Sequence, residues 1–356
     1  MRVSVTSFNA GKLFPWGASE SQMDAVVGQL VPQGTPVDVF ALGFQELALI
    51  WEGSFPQLIQ EYVDTVQQSV LRVLDRLYPN QYKSVADHHV GCIALLVFAR
   101  NDAPDVELTF KSSCLRGLGG SSLKGAAAIR LALADGQSLS LICCHFNANE
   151  GEANLQRRVE DYNAVWAQCQ EDLQLVRCPS PHAIFFGDLN FRVRGVDWNQ
   201  ATTLDYNTLL SKNDELNLLR VRRGVIFQQF TEPAISFKQT YKYNLHNPQN
   251  TYNGKRIPSW CDRILHGQYI DPPQDVVYRA LPRTDTLLFT DHQPVSLTMT
   301  LPTVEQAGPR PSEHTSPITE QTNVADLAIG YAGWSYAKRV HVYLIVFIVV
   351  FSFFML

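Results

Sequence analysis

A chain of 356 residues exceeds the usual one-domain size of roughly 100–200 residues, yet a single large enzyme domain with an appendage accommodates it. With 46% hydrophobic, 11% aromatic and 18% charged residues it carries ample material for a buried core, which excludes a disordered or collagen-like polymer. The 29 Lys and Arg against 34 Asp and Glu leave a net charge of −5, which excludes a general nucleic-acid binder and requires any anion site to be local.

Residues 2–8 (RVSVTSF) alternate polar and apolar as a strand does, unlike the continuous apolar stretch of a secretory signal, so no signal peptide is expected. Further strand-like runs fall at 37–44, 92–99, 126–133, 138–145, 183–187 and 294–301. Helical patterns occupy about 19–30, 55–77 and 152–173. No solenoid period repeats, and the mixture predicts helices layered on sheet. The seven cysteines show no C-x-x-C pair and no C-x₅-R loop, so they read as reduced thiols without metal or nucleophilic duty.

Residues 303–323 are rich in Pro, Ser, Thr and Glu and read as a solvated tether between a domain over 1–302 and a C-terminal segment, 324–356. That segment ends in VYLIVFIVVFSFFML (342–356), with no charge and with Lys338 and Arg339 just before it. As a helix it reaches about 22 Å, short of an average bilayer core of roughly 30 Å and nearer the thinner endoplasmic reticulum membrane. The positive flank keeps the preceding domain cytosolic, so a tail anchor is expected, with Val324–Ala337 at headgroup level. The alternative is a buried C-terminal element of the core.

Several polar residues occur where an apolar run ends: Asn9 after the first, Glu46 after the second, His145 after SLICC, and Asp188 and Asn190 after AIFFG. Each alone has a structural explanation as a cap or turn. Together they converge if the strand ends share one sheet edge, and Glu, Asp and Asn oxygens suit a hard cation such as Mg²⁺. Asp262 and Arg263 in RIPSWCDRIL, and Asp291 and His292 in LFTDHQPVSL, complete an inventory suited to phosphate-ester hydrolysis.

GDLNFR (187–192) and RIPSWCDRIL (256–265) resemble the paired signatures of the inositol polyphosphate 5-phosphatases. Matches at FNAGK, GFQE, CHFNAN, KGAAAIR, TYKY and TDHQPV spread the likeness over roughly residues 3–300. The resemblance implies a DNase I-like four-layer α/β/β/α sandwich with the site at one edge, followed here by the C-terminal transmembrane tail. It implies that Glu46, with Asn9 close by, holds Mg²⁺, and that Asp188 and Asn190 orient and deprotonate the attacking water. His145 and His292 would contact the scissile phosphate, Asp262 would pair with His292, Asp291 would lie beside the metal and Arg263 would support the site.

Substrate contacts are expected from Tyr241, Lys242, Lys255, Arg256, Lys124 and Arg263, the first four around the phosphate next to the one removed. Two departures stand out: Lys255 is displaced by one position from the family's Lys-x-Arg-x-Pro, and Ser122-Leu123 replace the usual Gly-Asn before Lys124. LNLLR (216–220) and IGYAGW (329–334) resemble the tail-anchored yeast branch of the family. That branch implies a monomer in the endoplasmic reticulum membrane, its catalytic domain facing the cytosol, converting phosphatidylinositol 4,5-bisphosphate to phosphatidylinositol 4-phosphate. Rival readings are a phosphodiesterase of the same fold acting on DNA and an inactive membrane-anchored binding module.

Overall fold

The computed structural model describes residues 1–103, 105–133, 136–176, 182–303, 323–340 and 342–343. Most of the expected tether, Cys178, and the apolar run from residue 344 onward lie outside the described residues. Among the described residues no helix is long and apolar enough to cross a membrane.

Strands β1 (Arg2–Asn9), β2 (Val39–Gln45), β3 (Tyr82–Val90), β4 (Ile93–Arg100), β11 (Gln274–Ala280) and β12 (Val295–Thr300) form one six-stranded sheet in the order β11-β12-β1-β2-β4-β3. The second sheet, β5-β6-β7-β8-β10-β9, comprises β5 (Glu107–Leu115), β6 (Gly125–Ala132), β7 (Ser138–His145), β8 (His182–Asp188), β9 (Phe230–Thr231) and β10 (Asp262–Gly267). All seven strand-like runs of the sequence are strands.

Period-2 side-chain alternation divides the apolar residues between two kinds of core. Val3, Val5, Val39, Ala41, Leu95 and Val97 of the first sheet meet Ile129, Leu141, Ile184, Phe186 and Ile264 of the second between the sheets. The intervening Phe40, Leu42, Phe44, Leu96 and Phe98 turn outward to helices α1 (Glu20–Gly28) and α2 (Pro56–Leu77). On the far face Ala126, Ala128, Ile142, Cys144 and Phe185 pack under α3 (Glu152–Asp172). Strands covered on both faces lose polar alternation, which is why β2, β4 and β8 read as nearly continuous apolar runs. The result is the expected four-layer sandwich.

Two of the three predicted helices have a local cause at their start. Ser19 caps α1 with a reciprocal capping box to Gln22, and Pro56 opens α2 in the first turn, where its missing N–H costs no intrahelical bond. Short helices α4 (Trp198–Thr203), α5 (Tyr206–Lys212) and α6 (Glu215–Asn217) fill the connection from β8 to β9, and α7 (Val324–Ala337) follows the tether.

Candidate active site

Strand register brings the polar strand ends together. His145 is paired with Asp188 across the parallel β7–β8 ladder, and Asp188 with Asp262 across the antiparallel β8–β10 ladder. Gly125, next to Lys124, pairs with His145, while Asn9 and Gln45 close the β1–β2 ladder just before Glu46. The chain approaches Asp188 through Gly187 at φ +135°, where a Cβ would lie 2.0 Å from the Cys144 carbonyl oxygen, so only glycine permits this exit.

Asp188 is the hub. Its Oδ2 accepts from Asn9 Nδ2 at 2.8 Å and its Oδ1 from the Asn190 N–H at 3.0 Å, while His145 Nε2 and His292 Nε2 lie 3.4 and 3.8 Å from Oδ2. Burial opposes its charge, but the two histidines and Lys124 outweigh that and hold the carboxyl well below its usual range. It is therefore a fixed anion at neutral pH.

His292 Nδ1 sits 2.9 Å from Asp262 Oδ2, and Thr240 donates its hydroxyl to the same oxygen at 2.6 Å. Burial works against an imidazolium here, yet Asp262 and then Asp188 raise His292 to about 9. Ligating atoms of Asp188, Asp262 and His292 lie within 4.8 Å of one another, a spacing a metal could use. The Asp262 contact fixes the imidazole ring and leaves its Nε2 in the pocket, 3.8 Å from Asp188 Oδ2.

The cation position fits Glu46 better. Its carboxylate has no side-chain hydrogen bond among the described residues; Lys12 Nζ stands 3.3 Å from one oxygen and His145 Nε2 3.7 Å from the other. Burial opposes ionisation of Glu46, but His145, Lys124 and Lys12 keep its pKa low. A charged, hydrogen-bond-free carboxylate beside Asn9 is a donor set suited to a hard divalent ion. Lys124 Nζ contacts His145 Nε2, and burial, then Lys124, depresses the His145 pKa, so this ring is neutral.

Other expected site residues take more specific places. Asn190 donates its Nδ2 to Phe146 O and accepts from Arg192 at its Oδ1, while its backbone N–H holds Asp188. Asp291 is ion-paired with Lys242. Tyr241 lies between His292, at 4.6 Å between ring centroids, and the Arg192 guanidinium, 4.5 Å above its ring. Arg256 binds Glu150 and Asn149, tying together two loops, and Lys255 is exposed on the neighbouring turn.

Arg263 corrects the expectation of a substrate contact. Strand alternation turns it away from Asp262, and it is fully buried with Asp214 at 3.0 Å and Glu232 at 2.5 Å. Its guanidinium has no path to a ligand. Three residues went unassigned from sequence: Lys12, Thr240 and Arg192, all inside quoted motifs. Arg192 is buried against Asn190 and the Tyr241 ring, and its Nη1 has no hydrogen-bond partner among the described residues.

Residues 6–298 match the endonuclease/exonuclease/phosphatase family 2. The chain is 29% identical over 280 residues to phosphatidylinositol 3,4,5-trisphosphate 5-phosphatase 2A of Danio rerio, covering 73% of this chain and 20% of that protein. It is 28% identical over 277 residues to phosphatidylinositol 4,5-bisphosphate 5-phosphatase A of Mus musculus, covering 74% and 26%. The chain thus spans about a quarter or less of these relatives' length. Among solved structures, the inositol polyphosphate 5-phosphatase domain of SPsynaptojanin, in complex with inositol (1,4)-bisphosphate and calcium ion, aligns with TM-score 0.65 and 25% identity over 84% of this chain and 83% of that one.

Proposed function

Because the chain belongs to the endonuclease/exonuclease/phosphatase family 2, we propose that it is a phosphoinositide 5-phosphatase that converts phosphatidylinositol 4,5-bisphosphate to phosphatidylinositol 4-phosphate by direct attack of water. The observation that carries this reading is the Asp262–His292–Asp188 alignment facing Lys124, His145 and the unsatisfied Arg192 donor. It is a site with one fixed acceptor for a water proton and several donors for phosphoryl oxygens.

Asp188, held by Asn9 and Asn190, accepts a hydrogen bond from the attacking water and takes its proton as the new P–O bond forms and the bond from phosphorus to the ring 5-oxygen breaks, that oxygen leaving as a hydroxyl with a proton from solvent. Protonated His292, fixed by Asp262, donates through Nε2 to the scissile phosphate, and Lys124 and Arg192 add positive charge where the phosphoryl oxygens gather negative charge. Glu46 with Asn9 would hold Mg²⁺, which when bound supplies Lewis-acid stabilisation of that charge. Tyr241 and Lys242 would contact the neighbouring 4-phosphate, Lys242 from beside its partner Asp291. No covalent intermediate is needed, and a thiol nucleophile is disfavoured: burial pushes the six described thiols up, away from thiolate.

The apolar C-terminal run extends the proposal to a tail-anchored monomer at the endoplasmic reticulum, catalytic domain in the cytosol, with lipid substrate concentrated by tethering. The test is a phosphate-release panel of lipid and soluble inositol phosphates with and without Mg²⁺. Release confined to 5-phosphorylated isomers and lost on chelation is expected. Cleavage of a phosphodiester such as abasic-site DNA without phosphate release would refute the reading, as would no hydrolysis at all.

A further inference from the structure

Helix α7 lies beyond the span that matches the family, yet it is built into the sandwich. One face carries Asp326, Leu327, Gly330 and Gly333, spaced as a single helical stripe. At its first turn the Asp326 carboxylate, almost fully buried, accepts from the Ser122 N–H at 2.9 Å and the Ser122 hydroxyl at 2.9 Å. Asn323 caps the helix through the Ala325 N–H at 2.8 Å and donates its Nδ2 to the Gly120 carbonyl at 2.6 Å. Further along, a Cβ on Gly333 would stand 2.3 Å from Trp51 Cβ and one on Gly330 2.8 Å from Ser54 Cβ, while Tyr331 meets Phe55 edge to face at 5.6 Å.

The two anchoring points are loops of the active site. Trp51–Phe55 follow Glu46 out of β2, and Gly120–Ser122 precede Lys124 into β6. The second loop contains Gly117, Gly119 and Gly120, the last two at positive φ. Such a loop loses much conformational entropy on ordering and needs outside contacts to stay in one place. Removing Asp326 would orphan the buried Ser122 N–H and leave its hydroxyl only the Gly53 carbonyl at 3.4 Å, two residues from Lys124.

We infer that α7 is an intramolecular strut: Asp326 and the Gly330–Gly333 face are positioning elements that fix the 117–124 loop and so set Lys124 beside His145 and Glu46. The inference rests on reading that cluster as the phosphatase centre. It makes the segment leading toward the apolar C-terminus part of the catalytic apparatus.

The test uses the full-length chain and a soluble 5-phosphorylated inositol phosphate, so that membrane delivery plays no part. Asp326→Ala and, independently, Gly333→Leu should each lower kcat about tenfold, as a loss of about 1.4 kcal/mol of transition-state stabilisation predicts, and should speed amide hydrogen exchange across residues 117–123. Asp326→Asn, which keeps one acceptor oxygen, should recover part of both. Exposed Val324→Ser should change neither. Parent-like kinetics in both folded variants would overturn the strut, and so would slowed kinetics with the 117–123 amides as protected as in the parent. If the parent chain itself releases no phosphate, the enzyme reading fails, while the exchange measurement still decides whether α7 orders the loop.

Discussion

At the scale of single residues, the site works by setting neighbouring groups to different proton occupancy. His292 holds its proton up to about 9 because Asp262 and Asp188 outweigh burial, whereas burial and Lys124 keep His145 neutral. If the imidazolium of His292 is the phosphate donor, activity is present below that pH and falls as pH rises through about 9. Asp262→Asn removes the larger attraction and leaves burial, so the alkaline limb of kcat/KM should move toward acid. An unmoved limb would assign the titration to another group. A resonance-assigned titration of His292 checks the same shift without turnover.

The same scale shows what the sequence reveals of a site and what it conceals. Asn9, Glu46, His145 and Asp188 are legible because each breaks an apolar run at a strand end, and register then carries them to one edge, whereas His292 is legible only from its motif, on the loop before β12. Lys12, Thr240 and Arg192 are placed by contacts with other residues of the candidate site: Lys12 with Glu46, Thr240 with Asp262, Arg192 with Asn190 and Tyr241. Such pairings depend on tertiary geometry. Arg263 misleads for the same reason, since one step along β10 reverses its direction and places it between Asp214 and Glu232.

Among elements, that buried trio ties β10 to the loops on either side. Arg263→Met should cost about 3–5 kcal/mol, because two buried carboxylates are left without their cation. Equilibrium denaturation reads this loss, and a change under 1 kcal/mol would mean the carboxylates find other partners. Strands β3, β5 and β11, which no sequence pattern predicts, are all edge strands with a register break: between Ser84 and Ala86, Leu108 and Phe110, and Gln274 and Val277. A bulge shifts the inside–outside alternation by one residue, and exposure of one face keeps the composition polar. The central strands other than β10 escape both effects, and their apolar runs are correspondingly plain; β10 is short and opens on Asp262 and Arg263, so no apolar run marks it.

For the whole molecule, the account joins a catalytic sandwich to a docked helix and an apolar C-terminal run. Deleting residues 338–356, which spares α7, should release the protein from membranes in cell fractionation while keeping activity on soluble substrate; a deletion variant that stays membrane-bound would contradict the anchor. The central claim is that segments far apart in sequence meet around Asp188 to hydrolyse a phosphate monoester. Its most direct test is the rate of phosphate release from phosphatidylinositol 4,5-bisphosphate by Asp188→Asn, a near-isosteric change, with folding verified by its thermal transition. A fall of roughly 10²–10⁴-fold in kcat is predicted, as for loss of a general base; a folded variant turning over at the parent rate would contradict the account.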